Sequence, residues 1–404
     1  MKYDVTIVGG GPAGSTAAKF LSEKGFKTLL IDKDKFPREK PCGGAIPIRL
    51  LDRFDYLKNT ELIESYSYGG IAYSPSLKHK LELIDNKPMA AMILRRKFDD
   101  GLVKIAENCG TVVEDAKKVL DVKISDDNAK LYLNNGSTID TRIVIGADSV
   151  WSTVAKKTGL RGKMKWLAVC VLKEYKIDKA TIDKLYGQNR CCHLYIRFKN
   201  VNGYGWIFPK KEHLNIGIGS IIRSSYLSKI NVNLLNSFKD FLETLKNQKL
   251  VPKYLKSDNI KGGALPTYPL EKTYGNRVIL IGDAAGVINP ITGEGIYYAM
   301  SSGEIGASVV SNALECDNTS ESFLAGYQHN WRKDFGEDLD LLIKFLKVEK
   351  KPSAEEFFKN ASKDKKLNDL LIKIMTGQIS VKDNKWKVAR RIVLNSIKSR
   401  FSKD

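Results

Sequence analysis

Two glycine-rich turns, each followed by an acid in a place to bind hydroxyls, are the residues here most able to do chemistry. Gly9, Gly11 and Gly14 follow directly on the apolar run Val5–Val8, and Asp32 closes the next apolar stretch, Thr28 to Ile31. Strand, Gly-x-Gly-x-x-Gly, helix, and an acid about 20 residues on form a dinucleotide-binding pattern. Gly9 permits the tight turn, Gly11 lets backbone approach a pyrophosphate, and Gly14 allows close packing of helix on strand. A helix from Ser15 to about Lys24, with Ala13 at its entry, turns unpaired amides and a positive dipole end toward phosphates. Asp32 is placed to accept hydrogen bonds from a ribose.

The second turn is Ile281-Gly-Asp283-Ala-Ala-Gly286, then Gly293-Glu-Gly295-Ile296 and an apolar helical run. A carboxylate at the end of a buried strand, Asp283, can hold a polyol. Gly295 and the helix start at Ile296 bring amides against a planar ring, and that positive end favours an anionic reduced flavin. Between the two turns lies Lys40-Pro-Cys42-Gly43-Gly44-Ala45-Ile-Pro47, whose glycines and prolines suggest backbone passing close to a ligand. Cys42 has three readings: a thiolate favoured by Arg38 and Lys40, a proton donor or orienting group, or simply the small residue the loop requires.

Around these sites, 404 residues with 43% hydrophobic content allow a large core, in two domains or one with a big insertion. No apolar run reaches the roughly 20 residues of a membrane span. With Met1 directly before the first strand, no leader peptide is expected, and the cytoplasm is the expected compartment. The cysteines (42, 109, 170, 191, 192, 316) show no C-x-x-C pair, and His79, His193, His213 and His329 show no ligand spacing, so no metal site is expected. A net charge of +20 without any nucleic-acid-binding signature points away from nucleic acid. In the last two dozen residues Trp386, Ala389, Val393, Ile397 and Phe401 recur at helical spacing beside Lys387, Arg390, Arg391 and Lys398. That stripe suits either a membrane interface, as a peripheral contact, or packing on the body.

Along the chain a βαβ-like start precedes a strand-rich stretch, 61–94, and a helix opening at Arg95-Arg-Lys-Phe98-Asp99. Segments 118–124 and 130–145 suggest a hairpin turning at Asn134-Asn-Gly136. Strands are expected near 166–175, 191–198, 204–208 and 214–222, a helix near 232–247, and helices through 321–404.

The amino-terminal pattern, Arg95 with Phe98-Asp99, Gly146-Ala-Asp148 and Gly282-Asp283 resemble, in that order, the p-hydroxybenzoate-hydroxylase-like flavoproteins. Within them, the Cys42 loop and Tyr204-Gly-Trp206-Ile-Phe208-Pro209, followed by Gly217-Ile-Gly219, resemble the geranylgeranyl reductases. The resemblance covers residues 1 to about 330. It implies an α/β fold (with α+β elements): a Rossmann-like FAD-binding domain, an inserted antiparallel β-sheet substrate domain and a helical C-terminal region. The implied boundaries are 1–60, 95–160 and 262–325 for FAD, 61–94 and 161–261 for the prenyl substrate, and 326–404 for the helices.

By that resemblance FAD contacts Ala13, Gly14, Asp32, Cys42, Gly43, Ala45, Arg95, Val119, Asp283, Gly295 and Ile296. Tyr204, Trp206 and Phe208, with Pro209, Gly217 and Gly219, line a long apolar tunnel for a polyisoprenoid, whose surface is all apolar and π. The implied activity is FAD-dependent reduction of geranylgeranyl double bonds, in archaeal-type ether lipids or, alternatively, in the geranylgeranyl tail of chlorophyll or in geranylgeranyl diphosphate. Asp148-Ser149, where the family has Asp-Gly, and Ala155, where it has arginine, put hydroxylase-style NAD(P)H docking in doubt. The reductant is then a transient NAD(P)H or a ferredoxin drawn to the basic surface. Rival readings are a flavin halogenase using a lysine such as Lys78 or Lys80, an electron-transfer flavoprotein serving a quinone, and a lipid-binding flavoprotein without turnover. The quinone reading lacks its cysteine module, since 330–404 contain no cysteine.

Overall fold

The computed structural model describes residues 3–162, 164, 166–223, 227–347 and 353–401. The chain divides into two compact units: Met1–Lys40, Arg95–Trp166 and Leu265–Ile343 form one; Pro41–Leu94, Leu167–Ala264 and Lys344–Asp404 form the other. Apart from shifts of a few residues at 160 and 262, this differs from the expected boundaries in two places. Residues 41–60 go with the second unit, because Ala45–Pro47 pairs with Ala90–Met92 there. The C-terminal helices do not stand alone, because each part must bury its apolar stripe on one unit or the other.

In the first unit a sheet runs in the order 274–275, 278–280, 138–146, 3–8, 28–31 and 112–114, with 129–133 and 119–124 continuing from 138–146. Strand Tyr3–Val8 lies in the middle, parallel to Thr138–Gly146 and Thr28–Ile31. Buried on both faces, these strands read as apolar runs: Val5, Ile7, Leu29, Leu30, Ile143 and Ile145 are fully buried. The expected hairpin is a three-stranded meander. Asn134-Asn-Gly136 turns between Ala129–Leu133 and Thr138–Gly146, while a separate turn at 125–128 joins Val119–Ile124. Helix Pro12–Glu23 packs closely on helix Ile296–Glu315, where a Cβ on Gly303 would fall 2.4 Å from the Ala13 carbonyl oxygen.

The second unit centres on a seven-stranded sheet in the order 261–266, 166–176, 213–223, 203–209, 192–196, 69–73, 80–84. It is not wholly antiparallel: Cys192–Ile196 runs parallel to Gly69–Tyr73, since strands so far apart in sequence are not bound to hairpin pairing. Helix Leu227–Asn247 covers one face with Phe238, Phe241, Leu242 and Leu245. Each fully buried phenylalanine there contributes about 2 kcal/mol. At the far edge the Asn368 side chain clasps the Glu82 backbone, accepting from its N–H (2.9 Å) and donating to its C=O (2.7 Å), which closes the exposed strand edge. The last helix, Val381–Phe401, packs with Val388 and Ile392 on this unit, while Trp386 and Ala389 of the expected stripe face solvent. The side chains of Val393, Ile397 and Phe401 lie outside the described residues.

Candidate functional site

In the first unit the three glycines of the amino-terminal turn have distinct reasons. Gly9 sits at φ +109, and a Cβ there would meet the Ala147 carbonyl oxygen at 2.4 Å; on Gly14 it would lie 1.9 Å from the Gly9 carbonyl oxygen. Both are required by the chain itself. Gly11 is not: its nearest neighbour would be Arg38 Nη2 at 3.7 Å. Its bareness is not taken up by the chain's own packing, so that a ligand's pyrophosphate could approach it. Gly11 is also the N-cap of helix Pro12–Glu23, and no side chain caps that helix. Its first amides are left for an anion.

Asp32 is buried at the end of strand Thr28–Ile31 and fixes the turn by accepting from the Gly10 N–H at 2.7 Å. Residues 114–117 run beside it, Lys117 N–H donating to the Asp32 carbonyl. Val119, at the start of the next strand, is 4% exposed, so its side chain serves the core.

The second glycine turn abuts the first: a Cβ on Gly282 would lie 2.9 Å from that of Ala13. Asp283 follows strand Val278–Leu280 at the carboxyl edge of the parallel sheet, the ligand-binding edge in open α/β folds. A Cβ on Gly295, the N-cap of helix Ile296–Glu315, would stand 3.7 Å from Asp283 Oδ1. Burial pushes the Asp283 carboxyl above its usual range against the opposing pull of Lys40 and Arg95. Among the described residues none donates a hydrogen bond to that carboxylate, so that it could accept from a ligand's hydroxyls.

Three cations gather on this side. Arg95 holds the fully buried Asp99 through two 2.7 Å hydrogen bonds, Arg38 reaches Asp99 at 3.1 Å and Asp32 at 3.6 Å, and Lys40 donates to Ser149 Oγ at 3.1 Å. Burial lowers the Lys40 amine, partly offset by Asp283. Arg38 Nε is buried without a hydrogen-bond partner. The departure at Ser149 thus has a local account: it takes the positive φ (67°) usually left to glycine, and its hydroxyl anchors Lys40. Asp148 is structural, accepting from Ser152 Oγ (2.5 Å) and the Thr153 N–H (2.6 Å) at the start of helix Thr153–Lys157. Bare glycine, the uncapped start of helix Pro12–Glu23, an acid without a hydrogen-bond donor and a buried guanidinium fit the phosphates, ribose and polyol of FAD.

In the second unit, period-two alternation sorts strand Gly203–Pro209 into two faces. Gly205 and Ile207 point to the helix side; a Cβ on Gly205 would collide with Phe241 at 2.7 Å. Tyr204, Trp206 and Phe208 share the other face, opposite Gly219, Gly217 and Asn215 respectively. The Trp206 ring lies over Gly217, where a Cβ would come within 2.1 Å of it. The rings follow one another at centroid distances of 5.8 and 6.2 Å. Pro209 ends the strand beside Leu214.

The Cys42 loop rests on these rings. Gly43 faces Phe208 and the Trp206 indole nitrogen, and Gly44, at φ +74, donates its N–H to Cys42 Sγ at 3.4 Å. Ala45 packs with Phe208 beside Ala90, Met92 and Cys192. Arg38 and Lys40, read from sequence as partners of the thiol, place their charged ends on Asp99, Asp32 and Ser149 instead.

The expected site residues therefore fall into two groups. Gly9, Gly11, Ala13, Gly14, Asp32, Arg95, Asp283, Gly295 and Ile296 belong to the first unit, and Cys42, Gly43, Ala45 and the Tyr204 motif to the second. Sequence reading missed Asp99 and Ser149 as partners of the cations, and Lys210, Glu174 and Asn215 beneath the Cys42 loop. The one available signal was Asn215, a polar residue inside the apolar run Leu214–Ile218 and in phase with the glycines. Among the described residues no cluster of ligating side chains could hold a metal ion, and no helix is long and apolar enough to cross a membrane.

Comparison with known proteins agrees with this geometry. The FAD binding domain family matches residues 2–330. The digeranylgeranylglycerophospholipid reductase of Methanocaldococcus jannaschii is 33% identical over 362 residues, 88% of each chain. A solved geranylgeranyl bacteriochlorophyll reductase-like protein from Thermoplasma acidophilum superposes with a TM-score of 0.75 at 25% identity, covering 96% of this chain and 95% of that one. A flavin-dependent brominase shares the fold, with a TM-score of 0.73 at 19% identity over 100% of both chains. The chain belongs to the FAD-binding flavoprotein family, in the branch of the digeranylgeranylglycerophospholipid reductases. It is a flavin oxidoreductase, and its cofactor is FAD.

Proposed function

We propose that this chain saturates the double bonds of geranylgeranyl chains on a glycerophospholipid, the substrate for which its Methanocaldococcus relative is named. FAD supplies the hydride when bound and reduced. The chain's own residues hold the cofactor and lay the substrate on an apolar surface. Gly11, the amides at Ala13 and Gly14, and the cations Arg38 and Arg95 face the phosphates; Asp32 and Asp283 accept from hydroxyls; Gly295 and Ile296 present backbone to the ring system. Tyr204, Trp206 and Phe208 give a polyisoprene the dispersion contacts its surface can use.

The carrying observation is that Gly217 leaves the space the Trp206 ring occupies and Gly219 adds no side chain opposite Tyr204, so that Tyr204, Trp206 and Phe208 lie in one row on a single face of their strand. Cys42, beside that face, donates or orients a proton for the second carbon. A geranylgeranyl tail on a chlorophyll-type substrate is the runner-up, supported by the name of the Thermoplasma protein. The halogenase reading has little support here: Lys78 sits in a turn, and Lys80 is 55% exposed and paired with Glu82.

The net charge of +20 attracts either proposed donor, an acidic ferredoxin or the anionic NAD(P)H. A cytoplasmic protein touching the inner membrane face through its last helix would reach such a lipid. The deciding experiment is anaerobic: dithionite-reduced protein is mixed with a digeranylgeranylglycerophospholipid, and the flavin spectrum and lipid mass are followed. Reoxidation with a gain of two hydrogens per bond is expected. An unchanged spectrum and mass would end the reductase reading.

A further inference from the structure

A buried polar network joins the aromatic strand to the Cys42 loop. Trp206 Nε1–H donates to Asn215 Oδ1 at 2.7 Å, and Asn215 Nδ2 donates to the Cys42 carbonyl (3.0 Å) and to Glu174 Oε2 (2.9 Å). Lys210 Nζ donates to the same Glu174 oxygen (2.7 Å) and to the Ile93 carbonyl (2.8 Å). Ile93 in turn donates its N–H to the Gly44 carbonyl at 2.8 Å. The loop is thus gripped on both sides of Gly43. The amide orientation of Asn215 is unambiguous: only its oxygen can meet the indole N–H, and only its nitrogen can meet a carbonyl and a carboxylate.

Asn215 is 0% and Lys210 1% exposed. Apolar residues of similar volume commonly give equal or better stability at such positions, so a buried ion pair is weak evidence of a stabilising role. What this network adds is position. Asn215 stands directly across from Phe208 in the register, so one side chain fixes the Trp206 ring and the Cys42 backbone together.

We propose that Asn215, braced by Glu174 and Lys210, is a positioning residue: it holds Cys42 at a set place beside the Trp206–Phe208 surface. The inference rests on the prenyl-reductase reading for its catalytic consequence, but not for its structural one.

The test uses the FAD-loaded full chain, comparing native protein with Asn215→Leu and Asn215→Asp. Asn215→Asp keeps the shape and the acceptor for Trp206, but a carboxyl there, sharing a proton with Glu174, no longer donates to the Cys42 carbonyl as well, so it decides the matter if the leucine variant fails to fold. The rate of Cys42 alkylation by iodoacetamide, read by peptide mass, is expected to rise about tenfold in both, because the loop loses its tether. Turnover of the geranylgeranyl lipid should fall about tenfold in kcat with KM changed less than about threefold, as misplacement rather than lost binding requires. Alkylation within about twofold of native in every folded variant overturns the proposal. If native protein does not reduce the lipid at all, the functional reading fails alone, and the alkylation rates still judge the tether.

Discussion

Gly43 lies against the ring of Phe208, so closely that a Cβ on it would stand 2.7 Å from Phe208 Cε2. The contact explains why the loop and the aromatic strand carry their motifs together: bulk on one requires bareness on the other. Gly43→Ala should cost about 1–3 kcal/mol through overpacking. It should also lower lipid turnover about tenfold, because the loop moves off the strand. Urea melts and steady-state rates check both, and a variant with native stability and native rate would show the contact to be slack.

The amino-terminal glycines separate folding from binding. Gly14→Ala puts a methyl 1.9 Å from the Gly9 carbonyl oxygen, whereas Gly11→Ala meets nothing nearer than 3.7 Å. The first variant should lose several kcal/mol or fail to accumulate. The second should melt within a few degrees of native as apoprotein yet bind FAD about tenfold or more weakly, a loss of about 1.4 kcal/mol. Equal FAD affinity in Gly11→Ala and native protein would remove the argument that Gly11 is bare for a ligand.

These cases show what a sequence can reveal. Gly9, Gly14 and Asp32 were legible because strand, turn and helix are contiguous and the constraint on each glycine is local. The aromatic alternation of Tyr204, Trp206 and Phe208 was legible for the same reason. The roles of Asn215 and Lys210 were not, since their partners, Cys42, Ile93, Glu174 and Trp206, come from four separate segments. Lys210 in particular reads as a loop lysine after Pro209, yet it is buried. The last helix misled in phase: Val388 and Ile392 pack, a turn's fraction away from the Trp386–Ala389 line.

His193 gives the second unit an acid weakness. It is 6% exposed, lies between Tyr73 and Tyr186, and its Nδ1 is 3.3 Å from the Tyr73 hydroxyl. Burial holds its pKa at about 4 instead of 6.5, with Glu82 pulling upward and Lys80 downward. Between those values the unfolded chain binds the proton and the folded chain does not, so stability falls as pH drops through that window. The full gap is worth about 3 kcal/mol. His193→Gln should flatten this slope, as read from urea midpoints between pH 7 and pH 4. An equally steep decline in the variant would assign the acid sensitivity to other groups.

Trp386 is 77% exposed on the last helix, with the Lys385 amine 5.9 Å from its ring centroid. Val388 and Ile392 already anchor that helix, so the indole is not needed to hold it in place. An exposed indole beside lysines is suited to the interface of an anionic bilayer, where the ring sits at headgroup depth and the cations meet phosphate. Trp386→Ala should leave the thermal midpoint unchanged within about 2 °C, as surface substitutions do. It should weaken co-sedimentation with vesicles rich in anionic lipid about threefold to tenfold, with little change on neutral vesicles. Equal sedimentation of both proteins on anionic vesicles would take Trp386 out of the membrane contact and leave the basic charge alone to account for any binding.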